Sequence, residues 1–211
     1  MIAATTLDSP DVVAVIEDNI TVRDTTADLL ESVQLTVKRY ASATAYLDDP
    51  VGRAACGCIV LDVRLPVMSG LELQRLLSAR GEPVAIVFVT GFADVRMAVD
   101  AMRGGAIDVL EKPYTAQQLI DSVHRGLALY HERTDERRRR SRALERMSAL
   151  TPRERDVLTR LQRGLRTKQI AAELGIGART AEEYRANLMQ KMSADSLAEL
   201  LQMCAVGEAE P

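Results

Sequence analysis

Five short apolar runs recur between residues 12 and 130: Val12–Ile16, Leu35–Arg39, Cys58–Leu61, Val84–Val89 and Ile107–Leu110. Valine and isoleucine dominate them and internal polarity is scarce, the pattern of strands covered on both faces of a parallel sheet. The segments between them, Val22–Val33, Leu71–Ala79, Val95–Met102 and Leu119–Leu129, space their apolar residues at helical intervals. Such alternation predicts a doubly wound α/β domain built on a five-stranded parallel sheet. Ligands of open α/β sheets sit beyond the carboxyl ends of the strands. The residues that follow each run are therefore the ones to read for function.

The pattern changes after residue 130. Residues 131–146 (HERTDERRRRSRALER) are mostly charged, contain neither glycine nor proline, and are mostly good helix formers. Asp135–Arg139 and Glu136–Arg140 have the favourable i, i+4 order. The last helix of the α/β domain is thus predicted to run unbroken from about Thr115 to Ser148. An apolar seam through Ile120, Val123, Leu127 and Tyr130 suggests pairing of two chains. Thr151-Pro152 then marks a new helix start, with a capping threonine and Glu154 close behind. Helices are expected near 153–163, 168–174, 179–191 and 196–205, with no strand. The domain limits expected are 10–128, a helical linker at 129–148, and a small all-helical domain at 149–207.

Composition excludes several classes. With 211 residues, 47% apolar and 27% charged, the chain suits two small globular domains. No apolar run approaches the roughly 20 residues of a membrane span, and the N-terminus lacks a secretion signal, so a cytoplasmic location is expected. Cys56, Cys58 and Cys204 have no metal-type spacing and read as small core residues. His124 and His131 read as solvated. The net charge of −3 conceals an uneven distribution, with arginine gathered around 133–146.

At the strand ends stand Glu17-Asp18 after the first run, Asp62 after the third, Thr90-Gly91 after the fourth and Lys112-Pro113 after the fifth. A parallel sheet brings these to one edge. Three carboxylates there raise one another's pKa unless a cation lies among them, and oxygen ligands with room for water suit Mg²⁺. A metal, a lysine and a hydroxyl converging on one carboxylate are the parts that stabilise a transferring phosphoryl group, with Asp62 as nucleophile.

VAVIEDN, CIVLDVRLPVMSGLEL, VFVTGFAD and GGAIDVLEKPY resemble the receiver domain of two-component response regulators, which has a flavodoxin-like fold. The resemblance implies phosphoryl acceptance at Asp62 from a sensor histidine kinase. It implies metal ligation by Asp18, Asp62 and the Arg64 carbonyl with acidic support from Glu17, phosphoryl contacts from Thr90 and Lys112, and a cis Lys112-Pro113 bond. Two positions depart from the pattern. Glu17 stands where the family usually has aspartate, and Val109 where it has tyrosine or phenylalanine. That ring normally moves with the threonine (here Thr90) as a switch, and valine is too small and too stiff at χ1 to do so.

LTPRERDVLTRLQRGLRTKQIAAELGIGARTAEEYRANLMQKMSADSLAELLQM resembles the LuxR-type helix-turn-helix of the NarL/FixJ class of regulators. Ile170, Ala171 and Leu174 would line the scaffold helix, and Gly175-Ile176-Gly177 would form the turn, with Ile176 in the core. Ala181, Tyr184, Leu188 and Met192 would face inward from the recognition helix. That leaves Arg179, Glu182, Glu183, Arg185, Ala186 and Asn187 for the major groove of double-stranded DNA. By resemblance, Glu182, Glu183 and Ala186 face bases, and Lys168, Arg179, Thr180, Arg185 and Lys191 hold phosphates. The function implied is a phosphorylation-controlled transcriptional regulator, not an enzyme, acting as a homodimer and engaging RNA polymerase. One alternative is a receiver independent of phosphorylation that serves only in dimerisation. The other is a phosphohydrolase with Asp62 as nucleophile, against which Arg64 stands where a second aspartate would be needed.

Overall fold

A computed structural model describes residues 11–91 and 95–208. It divides into two compact units, the division falling between Thr134 and Asp135. Pro10, the expected start of the first domain, lies outside the described residues.

In the first unit, β1 (Val12–Ile16), β2 (Thr36–Tyr40), β3 (Cys56–Asp62), β4 (Ala85–Thr90) and β5 (Asp108–Glu111) form one sheet in the order β2-β1-β3-β4-β5. Every pairing is parallel. The central strands β1, β3 and β4 are buried along their whole length, as their unbroken apolar runs require. One face packs Ile16, Ile59, Leu61, Leu73 and Phe88 with α4 (Gly70–Ala79) and α5 (Val95–Arg103). The other packs Val13, Val15, Val60 and Val87 with α1 (Ile20–Glu31) and the first part of α6 (Ala116–Ser148).

Three observations amend the sequence reading. Strands β2, β4 and β5 each begin one residue later than predicted, and β3 extends at both ends, because ladder hydrogen bonds join backbones and do not stop at the last apolar side chain. Two short helices, α2 (Ala43–Leu47) and α3 (Pro50–Ala55), occupy a stretch to which no element was assigned. Ser42 and Asp49 cap them by accepting from Ala45 N and Gly52 N. The seam on α6 is not free for a second chain. Val123 and Leu127 lie in the core with Leu119, pressed on the sheet.

Helix α6 runs unbroken to Ser148, as predicted. The two i, i+4 ion pairs do not form; Asp135 instead lies 3.9 Å from Arg138. The three cysteines are free and buried. His124 is exposed, whereas His131 Nε2 meets Asp11 Oδ1 at 2.6 Å and is not simply solvated.

The second unit contains α7 (Pro152–Gln162), α8 (Thr167–Leu174), α9 (Ala178–Met192) and α10 (Leu197–Glu208). Leu150, Val157, Leu161, Ile170, Leu188 and Leu200 close its core. Thr151 caps α7 reciprocally with Glu154, which fixes where the helix begins. Gly175 ends α8 in the left-handed conformation at φ 65°, a geometry that costs a residue with a Cβ about 1–2 kcal/mol. Gly177 has φ −66°, so only the first glycine of the turn is needed for that reason. Ile176, expected in the core, is half-buried. Among the described residues no helix is long and apolar enough to cross a membrane.

Candidate functional site

The carboxyl ends of β1, β3, β4 and β5 converge on Asp62. This aspartate is the last residue of β3, and Thr90 is the last of β4, so strand register alone sets them side by side. Glu17 and Asp18 follow β1, and Lys112 follows β5, its N–H donating to the Thr90 carbonyl at 2.7 Å. Lys112-Pro113 is cis, as the resemblance implied. Phe92–Asp94, the end of the VFVTGFAD motif, lie outside the described residues.

The Lys112 ammonium donates to Asp62 Oδ2 at 2.7 Å and to Glu17 Oε2 at 2.6 Å. Asp62 Oδ1 accepts from the Arg64 N–H at 2.8 Å, which fixes the rotation of the carboxylate. Glu17, Asp62 and Thr90 are all buried. Of the three carboxylates expected together, Glu17 and Asp62 are joined through Lys112, while Asp18 stays exposed. Burial pushes the Glu17 carboxyl above its usual range and the neighbouring Asp62 adds to the rise, against the pull of Lys112. Burial alone would lower the Lys112 pKa, but its bonds to Asp62 and Glu17 outweigh that and hold it raised. Among the described residues no group of three or more His, Cys, Asp or Glu forms a ready metal cage. The chemistry of the donors nevertheless fits a divalent cation, since two buried carboxylates share one ammonium and the ligand atoms are hard oxygens.

Two supports of this site were not read from the sequence. A Cβ on Gly70 would collide with the Asp62 carbonyl oxygen and lie 3.1 Å from both Leu61 and Phe88. The first residue of α4 must therefore be glycine for the helix to start against the end of β3. Val67, in the loop between them, is 95% exposed and takes φ 70°, while Met68 N donates to Pro66 O at 2.8 Å. A β-branched residue in that conformation is strained. The only advance signal for either was the glycine at the head of a helical run.

Val109 is half-buried against the sheet core. It borders an apolar cleft of ≈ 640 Å³ lined also by Val95, Ala98, Val99 and Met102.

On α9, Ala181, Leu188 and Met192 are buried and Tyr184 half-buried, the predicted inward face. Arg179, Thr180, Glu182, Glu183, Ala186 and Asn187 are exposed on α9, and Lys168 on α8. Four of the charged candidates are engaged within the unit. Arg179 pairs with Glu183 at 3.3 Å, Lys191 donates to Glu154 Oε2 at 2.8 Å, and the half-buried Arg185 donates to Thr167 Oγ1 at 3.1 Å.

The chain matches the response regulator receiver domain over residues 13–124 and the bacterial regulatory proteins of the luxR family over residues 148–204. It is 46% identical to the transcriptional regulatory protein FixJ of Azorhizobium caulinodans over 201 residues, 94% of each chain. It is 37% identical to the response regulator protein TodT of Pseudomonas putida, covering 93% of this chain and 86% of that one. Among solved structures, the response regulator StyR has 40% identity and a TM-score of 0.85, with 92% of this chain and 98% of that one covered. Full-length FixJ from B. japonicum has 37% identity and a TM-score of 0.57, covering 93% and 97%.

Proposed function

The chain belongs to the response regulators that join a receiver domain to a LuxR-type DNA-binding domain, and from that premise we propose that Asp62 is its phosphoacceptor. The observation that carries this reading is the Lys112 ammonium held between Asp62 and Glu17 where four strands end. The phosphorus passes from the imidazole nitrogen of a sensor kinase's phosphohistidine to a carboxylate oxygen of Asp62; the P–N bond breaks as the P–O bond forms. Arg64 N–H keeps the carboxylate aligned. Lys112 offsets negative charge beside the incoming group, and the Thr90 hydroxyl contacts it from β4. Asp18, Asp62 and the Arg64 carbonyl, with Glu17 in support, would hold Mg²⁺, which supplies positive charge opposite the phosphoryl oxygens.

The domain limits that go with this function are 10–128 for the receiver, 129–148 for the helical linker and 149–207 for the DNA-binding domain. Glu182, Glu183 and Ala186 would meet base edges with Asn187 also open to the major groove, and Lys168, Arg179, Thr180, Arg185 and Lys191 would hold phosphates, in a homodimer on promoter DNA in the cytoplasm, working with RNA polymerase. A receiver that only dimerises is favoured by one observation, the small Val109 beside an open cleft where a switching ring would stand.

Incubation of the full chain with acetyl phosphate and Mg²⁺, followed by intact mass, tests the assignment. One stable phosphoryl group on the wild type and none on Asp62→Asn is expected. No uptake by a folded wild type would favour the dimerisation reading, and uptake by Asp62→Asn would overturn the choice of Asp62.

A further inference from the structure

The positive charge of the second unit is not where the candidate reading helix is. Residues 147–211 hold nine lysines and arginines against nine aspartates and glutamates, whereas 137–146 hold six arginines and one glutamate. The helical domain proper is thus neutral by formal count, and α9 exposes Glu182 and Glu183. Duplex DNA carries one negative charge per about 1.7 Å of its axis, and binding strength at ordinary salt depends on how many phosphates are neutralised.

The arginines of α6 are arranged, not merely abundant. Arg139, Arg142 and Arg146 recur at helical spacing around Ala143, which is buried. With Glu199, Gln202 and Met203 of α10 they line a cleft of ≈ 310 Å³ within the second unit. Arg139 and Arg142 are exposed and have no ion pair among the described residues. The acid of the cleft, Glu199, is not paired with them; its Oε2 accepts from Asp195 N at 2.9 Å, at the start of α10. Arg146 donates to the carbonyl of Met192, the last residue of α9, at 3.0 Å. The cleft is therefore tied to the recognition helix inside one compact body.

We infer that this cleft is a second DNA contact, in which Arg139 and Arg142 grip the phosphate backbone of the duplex whose bases α9 reads. The inference rests on the DNA-binding reading of this unit. It adds Arg139 and Arg142 of α6 to the sequence-independent part of the affinity, beside the phosphate contacts proposed on α8 and α9, whose exposed carboxylates help to select bases.

The test is fluorescence anisotropy of the full chain on a labelled duplex of scrambled sequence, across about 50–200 mM salt. Replacing Arg139 and Arg142 together by glutamine is expected to reduce the slope of log K against log salt by about 1.8, at about 0.9 per phosphate contact. The double lysine variant keeps the charge and should retain the wild-type slope. Gln202→Glu, a substitution at an exposed position across the cleft, should reduce the slope by about 0.9 without touching α6. Thermal melting and phosphoryl uptake should be unchanged in all three. A wild-type slope in the glutamine pair, or a lysine pair no better than glutamine, overturns the proposal. Wild-type protein that binds no duplex at any salt overturns the DNA-binding reading and the proposal with it, whereas an unchanged slope overturns the proposal alone.

Discussion

Gly70→Ala is the substitution that most severely tests how the receiver holds its aspartate. The added Cβ would meet the Asp62 carbonyl oxygen, which is backbone and cannot rotate away, and would lie 3.1 Å from Leu61 Cγ and Phe88 Cε1, both fully buried. Carbon atoms in contact prefer about 3.5–4.0 Å, so α4 and the end of β3 must separate by an amount on the order of 1 Å. Overpacking of this kind costs about 1–3 kcal/mol, and the helix preference of alanine returns at most about 1 kcal/mol. The melting temperature of the first unit should fall by about 5–10 °C. Displacing a reacting group by about 1 Å also slows chemistry by about a hundredfold, so phosphoryl uptake should suffer more than stability. Differential scanning calorimetry and time-resolved intact mass with acetyl phosphate measure the two effects. Gly91→Ala is the control, since a Cβ there meets nothing within 4 Å and should change stability by less than about 0.5 kcal/mol. Wild-type melting and wild-type uptake in Gly70→Ala would show that α4 does not press on the end of β3.

Lys112→Met should abolish uptake and destabilise the first unit by about 2–3 kcal/mol at pH 7; because Glu17 is raised by burial and Lys112 opposes the rise, the loss should shrink in acid, which urea unfolding at several pH values would show. Folding holds Glu154 below the ordinary carboxylate range: burial opposes this, but the bonds from Lys191 and Thr151 prevail. Its stabilisation is therefore complete above about pH 4.3 and disappears as pH falls through the folded pKa, so the stability gap between wild type and Glu154→Gln should close in acid. Arg185→Ala should weaken binding to every duplex and lower stability by about 1 kcal/mol through the lost bond to Thr167, whereas Glu183→Ala should change which bases are preferred; selection from a random duplex pool separates the two.

The central strands were legible because a strand buried on both faces must be apolar along its interior, and β1, β3 and β4 are. Their ends were less so, since Asp62 and Thr90 belong to the ladder through backbone bonds that side-chain polarity does not report. The α2 and α3 helices are too short to show periodicity and exist through the caps at Ser42 and Asp49. Glu17, Asp62, Thr90 and Lys112 were legible by order along the chain, but the bridge from Lys112 to Glu17 spans 95 residues and only the folded sheet creates it. The crowding at Gly70 and the turn of Arg139 from Asp135 toward α10 depend on neighbours distant in sequence. No local pattern encodes them.

A phosphoryl group on Asp62 is proposed to control DNA binding. That control is tested by measuring the affinity of the full chain for a duplex selected from a random pool, before and after acetyl phosphate, in wild type and in Asp62→Asn. Acetyl phosphate is expected to tighten wild-type binding by about tenfold or more, a coupling of at least about 1.4 kcal/mol, and to leave Asp62→Asn unchanged. Equal affinities for the phosphorylated and unphosphorylated wild type would contradict the proposed control.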